Sequence, residues 1–231
     1  MSRVLPILFN IEMVRAILNG GKSCTRRIVK PQQLVALLSD KCKNGMPEEF
    51  LKEKKLMFKP YCDMTDIELI NAAYKPPYQP GDILYVRETW HKYIKRVGKG
   101  ESCHLAEFYG YRASVANSED ADEPWHSSIH MPKEAARIWL KVTDVRVERL
   151  QDITGLSVQK EGIELDPNEC AGKFDFISEL FFLFQRLWDS TIKKSDLDRY
   201  GWDANPYVWV IEFERCKKPK EEKGNDSGNS K

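Results

Sequence analysis

The stretch Gly20-Gly21-Lys22-Ser23-Cys24-Thr25-Arg26-Arg27 constrains the fold of this chain more than any other. Ahead of it, Ile11, Val14, Ile17 and Leu18 recur at helical spacing, and Asn10 can cap the helix they predict. Gly20 or Gly21 ends that helix, because glycine takes the left-handed C′ conformation without a Cβ penalty. The residues through Ile28 and Val29 then read as a strand. A lysine, a hydroxyl and two guanidiniums are thereby set on a tight helix-to-strand joint. Crowding of like charge favours loss of a proton from Lys22 in a partly buried setting. Lys22 can then act as a base, and Thr25 offers it a hydroxyl. The same group suits a phosphate or the electron-rich edge of a base. The competing reading is a solvated basic loop.

The rest of the chain supplies partners for that strand. Val4 to Phe9 reads as a first strand, and Ile83 to Trp90 as another after the turn Pro80-Gly81-Asp82. Arg87, Glu88 and Trp90 end that strand, where side chains can reach a pocket rim or form an exposed ion pair. Lys95 to Glu101 reads as a charged turn and His104 to Ser114 as a strand. Ala136 to Leu150 is the longest strand. Its apolar phase slips at Thr143-Asp144, which predicts a bulge or bend of the kind that closes small barrels. Tyr207 to Phe213, apolar on both sides, is the closing strand.

Two helices accompany these strands. Thr154 caps a short helix through Lys160, ended by Gly162. Glu161 then lies at a helix C-terminus, where the macrodipole disfavours a carboxylate. Either a functional role or plain exposure accounts for it. Phe174 to Trp188 carries an aromatic stripe of Phe174, Ile177, Phe181, Phe184 and Trp188, a pattern of core packing.

A chain of 231 residues fits one domain, or one domain with a large insertion. Pro31 to about Lys75 is lysine-rich with no strand pattern, and reads as a helical insertion with helices near Leu34–Leu38, Pro47–Leu51 and Asp66–Ala73. Val115 to Pro124 reads as a surface loop. Residues 216–231 read as a disordered charged tail, leaving 1–215 as the domain. The net charge of +1 excludes a strongly cationic coat but allows a local basic pocket. No apolar run is long enough for a membrane, and the first residues lack a signal-peptide apolar region, so a cytoplasmic protein is expected. The six cysteines have no zinc spacing, and Pro124 and Pro132 bracket His126 and His130 too closely for a trusted helix. No metal or cofactor is expected, and the cysteines are expected to be reduced.

Gly21 to Arg27 resembles the GxKTxTxR-type signature of ASCH domains, members of the PUA-like superfamily. Pro80 to Leu84 resembles that family's turn and strand, Leu150 to Gly162 its helix ending in an acidic residue and glycine, and Tyr207 to Phe213 its closing strand. Tyr78 to Trp90, Trp188 to Thr191 and Tyr200 to Pro206 resemble ASCH-type proteins of phages and prophages. Ser23-Cys24 departs from the usual threonine-containing pair. The resemblance implies an α+β fold: a small PUA-like β-barrel with flanking helices and a helical insertion. It also implies a cleft for RNA or a nucleobase-like ligand. Some bacterial ASCH proteins are amidohydrolases that deacetylate N-acetylcytidine, and their lysine, threonine and glutamate match Lys22, Thr25 and Glu161.

Three readings of function compete. The first is an RNA- or nucleobase-binding protein, in which Arg26, Arg27 and Arg87 meet the ligand with Lys22, Glu88 supplies an acceptor, and Trp90 or Trp202 stacks on a base. The second is a metal-independent amidohydrolase acting on an N-acylated cytidine-like nucleoside, with Lys22, Thr25 and Glu161 catalytic. The third is a phage accessory protein whose 31–75 insertion meets a protein partner. Lys22, Thr25, Arg27, Glu88 and Glu161 are expected to line one cleft.

Overall fold

Five segments, four of them largely apolar, pair into one mixed sheet. The computed structural model describes residues 2–30, 65–114, 124–165 and 176–219. In chain order its strands are β1 (Val4–Leu8), β2 (Cys24–Ile28), β3 (Ile83–Arg87), β4 (Trp90–Val97), β5 (His104–Tyr111), β6 (Trp139–Arg149) and β7 (Tyr207–Cys216). The large sheet has the order β1-β3-β6-β7-β2, and β4 and β5 form a separate two-stranded ribbon. β1 runs parallel to β3, while the β3–β6, β6–β7 and β7–β2 pairs are antiparallel. The α+β class is therefore present, and five of the six expected strands share one sheet.

The expected closure into a barrel is not: among the described residues, β1 and β2 remain the two edges of an open sheet. Pro6 sits in β1 and has no N–H to give a further strand, and its carbonyl accepts from the Tyr78 hydroxyl at 2.8 Å. The two edges are tied by a side chain instead, Arg27 donating to the Leu8 carbonyl at 2.9 Å. The ribbon is a second departure. The chain breaks at Glu88-Thr89 and starts a new strand at Trp90, so Lys95 to Val97 belong to β4 and not to a turn. The residues from 104 onward pair with that strand and not with the sheet.

β6 shifts register between Val142 and Asp144, the position at which its apolar phase slips. β7 is buried on both faces. Trp209, Ile211 and Phe213 join a core with Ile7, Val14, Ile17 and Leu84; Val208 and Val210 join a second core with Leu150, Val158, Leu180, Phe184 and Trp188. The first core is covered by α1 (Ile11–Leu18), capped by the Asn10 side chain accepting from Met13 N–H. α2 (Asp66–Ala73) starts in a capping box between Thr65 and Glu68. α3 (Gly155–Lys160), capped by Thr154, and α4 (Phe176–Ser190) cover the second core, and α5 (Leu197–Tyr200) is a single turn. The expected helices near Leu34–Leu38 and Pro47–Leu51, the Val115–Pro124 loop except Pro124, Phe174, and the tail from 220 onward lie outside the described residues. No helix among the described residues is long and apolar enough to cross a membrane.

Candidate functional site

Gly162 brings the site together. Its φ of +88° is one that side-chain-bearing residues rarely adopt. A Cβ there would lie 2.6 Å from the Ala16 Cβ and 2.9 Å from the Lys22 Cβ. Glycine therefore lets the end of α3 turn flat against the joint between α1 and β2. Lys22 and Glu161 form an antiparallel bridge, and Ser23 N–H donates to the Lys160 carbonyl at 2.9 Å. The end of α3 is thus zipped to the start of β2.

This contact places the Glu161 carboxylate between two cations. Lys22 Nζ donates to Oε2 at 2.7 Å and to the Glu161 carbonyl at 2.8 Å; Arg26 donates to Oε1 at 3.0 Å. The three residues are only 5%, 3% and 4% exposed, Glu161, Lys22 and Arg26 in that order. The misfit of a carboxylate at a helix C-terminus is resolved by these two partners. Beyond them the charges continue. Arg26 reaches Glu148 at 3.4 Å, Arg146 joins Glu148, Asp144 and Glu212, and Lys160 reaches Glu212. The network holds four cations and four carboxylates. Its inner three members, Lys22, Arg26 and Glu161, are buried, while the outer members are partly or fully exposed. Such a buried group is costly and contributes little to stability compared with an apolar core.

A small, partly open cleft with a cavity volume of about 40 Å³ lies beside the cluster. Its walls are Met13 of α1, Thr25, Arg26 and Arg27 of β2, Glu161, and Phe184, Leu187, Trp188 and Thr191 from the end of α4. These walls combine apolar side chains with a few convergent polar groups. The Arg26 guanidinium lies 5.9 Å from the centre of the Phe184 ring, and its Nε, although buried, has no hydrogen-bond partner among the described residues. Phe213 N–H donates to the Ser23 carbonyl and Val29 N–H to the Tyr207 carbonyl. By the alternation of an antiparallel pair, the N–H and C=O of Arg26 face away from β7.

Of the expected site residues, Thr25, Arg26, Arg27 and Glu161 line this cleft. Lys22 lies behind Glu161, and the hydrogen bonds it makes go to Glu161, not to the Thr25 hydroxyl. Lys22 and Arg27 both lie 5.6 Å from the Phe9 ring. Burial pulls the Arg27 guanidinium below its ordinary pKa, opposed by Tyr78 and Glu161. Glu88 is not in this cleft. It is 2% exposed and held bidentate at 2.8 and 2.9 Å by Arg137, whose guanidinium lies 4.1 Å from the centre of the Tyr111 ring. The turn at Glu88-Thr89 carries it to the ribbon side. Arg87 donates to the Ile129 carbonyl, and Trp90 packs on Tyr109 and His126, so neither reaches the cleft. Trp202 stands one ring behind it, edge-on to Phe184 at 5.9 Å.

The sequence offered no sign that Glu148 would hold Arg26, since the contact depends on β6 lying two strands from β2. Phe184 and Trp188 were legible as core, and they are both core and cleft wall. Burial, followed by the charge of Glu161, pushes the Cys24 thiol up to about 12, which keeps it protonated beside the site. Among the described residues, no group of three or more His, Cys, Asp or Glu side chains could hold a metal ion. No family model, no curated protein and no solved structure matches the chain.

Proposed function

We propose that this chain is an ASCH-type protein of PUA-like kind whose cleft binds a nucleobase, free as a nucleoside or carried in RNA. The observation that carries this reading is the buried Arg26 Nε, which lines the cleft without an acceptor. Buried polar groups are nearly always paired, and an orphan at a cleft wall fits a donor waiting for a ligand carbonyl. Glu161 on one side and Thr25 on the other supply an acceptor and a hydroxyl for the remaining polar edge of a base. Phe184 and Met13 offer apolar surface to its faces. Calorimetric titration with a panel of nucleosides tests the reading. Binding by the wild type, weakened at least about tenfold in Arg26→Lys, is expected, since a lysine has no Nε–H in that fork. Absence of binding by every nucleoside and by short RNA would overturn it.

One observation favours a second reading, amidohydrolysis of an N-acylated cytidine-like nucleoside. Glu161 contacts Lys22 and shares the cleft with Thr25, which links the three groups the chemistry needs through Glu161. Lys22 would first pass a proton to Glu161, 2.7 Å away. The neutral amine would then take the Thr25 proton as Oγ attacks the amide carbonyl. Arg26 or Arg27 would stabilise the oxyanion, and the proton would pass to the departing amine as the C–N bond breaks. A water molecule, losing its proton to Lys22, would then hydrolyse the Thr25 ester, releasing the acid and restoring the hydroxyl. Mass spectrometry of acylated nucleosides after incubation, beside a Lys22→Ala control, checks this step.

A further inference from the structure

The β4–β5 ribbon has two unlike faces. Trp90, Tyr109 and Tyr111 point toward the body and pack on Tyr85, Met131 and Trp139. Strand alternation sends His91, Tyr93, Lys95 and Phe108 to the opposite face. There the rings form a continuous file. His91 lies 4.6 Å from Trp125 and stacks on Tyr93 at 5.3 Å and 24°; Tyr93 stacks on its cross-strand partner Phe108 at 5.8 Å and 25°. Gly110 makes room for the file: a Cβ there would lie 1.8 Å from the His91 ring. Neither His91 Nδ1 nor Trp125 Nε1 has a hydrogen-bond partner, so these atoms do not fix the rings.

The charge on the ribbon is one-sided. From Trp90 to Tyr111 it holds Lys92, Lys95, Arg96 and Lys99 against two carboxylates, Glu101 and Glu107. Lys92 is paired with Glu107 at 2.7 Å. Lys95, Arg96 and Lys99 are exposed and form no ion pair among the described residues. Lys95 shares the face of the ring file, Lys99 sits in the connecting turn, and Arg96 lies on the opposite face. A structural role does not require stacked rings and unpaired cations together on a solvent-facing ribbon. Nucleobases stacked on the ring file, with phosphates beside the cations, do require both.

We infer that the outer face of the β4–β5 ribbon is a stacking platform for single-stranded nucleic acid, separate from the cleft. The platform reads no sequence, because every base offers a π face. It prefers single strands, because a duplex keeps its base faces covered.

The test is fluorescence anisotropy of the full chain with labelled 12-nucleotide oligo-U, oligo-dT and a duplex, at low and moderate salt. Wild type binds both single strands, more weakly as salt rises, and the duplex less well. Tyr93→Ala/Phe108→Ala weakens single-strand binding by at least about tenfold. Lys95→Glu/Lys99→Glu, which changes only exposed side chains, does the same without touching the ring packing. A difference between oligo-U and oligo-dT identifies RNA or DNA as the occupant. Nucleoside binding in the cleft is measured in the same variants and stays unchanged, so the two proposals fail separately. Single-strand binding unaffected by the lysine variant, or absent from wild type at low salt, overturns the inference.

Discussion

At the scale of single residues, burial and charge decide which groups remain reactive. Cys24 is buried and its thiol is pushed up to about 12, whereas Cys103 is exposed. Maleimide labelling of the native protein at neutral pH is therefore expected to mark Cys103 and spare Cys24, with peptide mass spectrometry as the check. Asp82 behaves differently. Burial alone would raise its carboxyl, but hydrogen bonds from Arg3 and from Gln79 N–H, with the Arg3 charge, hold it below its usual range. A depressed folded-state pKa gives stability that is present above the unfolded value of about 3.9 and is lost as pH falls through the folded value. Asp82→Asn should destabilise the protein at neutral pH and flatten the acid limb of a stability-against-pH curve. Gly162→Ala is the sharpest steric probe. It meets both a positive φ and overlap with Ala16 and Lys22, and should cost about 2–4 kcal/mol in denaturant unfolding.

At the scale of elements, α4 does two tasks. Leu180, Phe184 and Trp188 fill the second core, and Phe184 and Trp188 also wall the cleft. Trp188 is buried and donates its indole N–H to the Tyr200 carbonyl at 2.8 Å, which ties α5 down. Trp188→Ala should cost about 3–5 kcal/mol by chemical denaturation, and a loss under about 1 kcal/mol would place it outside the core. These elements were legible because their signals are local: Asn10, Thr65 and Thr154 cap helices, and the phase slip at Thr143-Asp144 marks the bulge. Of the ribbon only β5 was legible, as the strand expected from His104; β4 was not. Only the pairing of Trp90–Val97 with His104–Tyr111 reveals that the lysine-rich run Lys92–Lys99 begins in a strand. The fate of Glu88 was hidden for the same reason, since Arg137 reaches it from 49 residues away.

At the scale of the whole molecule, an open sheet leaves an outer edge at β2, and the end of α3 closes on that edge. Lys22, Arg26 and Glu161 were recognisable as chemistry-bearing positions in the sequence. Their convergence needed the long-range bridge from Lys22 to Glu161, 139 residues apart. Burying this cluster is costly, and on the proposed reading a ligand that completes the hydrogen bonding of Arg26 would give it a purpose. The cleft and the ribbon platform would then act on one class of ligand, the first on a single base and the second on a strand.

The most direct test of the central claim is titration of nucleosides into Glu161→Gln beside wild type, with thermal unfolding to confirm that both are folded. The substitution keeps the shape of the side chain and removes the charge that holds Lys22 and Arg26. Affinity at least about tenfold weaker in the folded variant is the predicted result. Affinity equal to that of wild type would contradict the account, because the buried cluster would then have no part in binding.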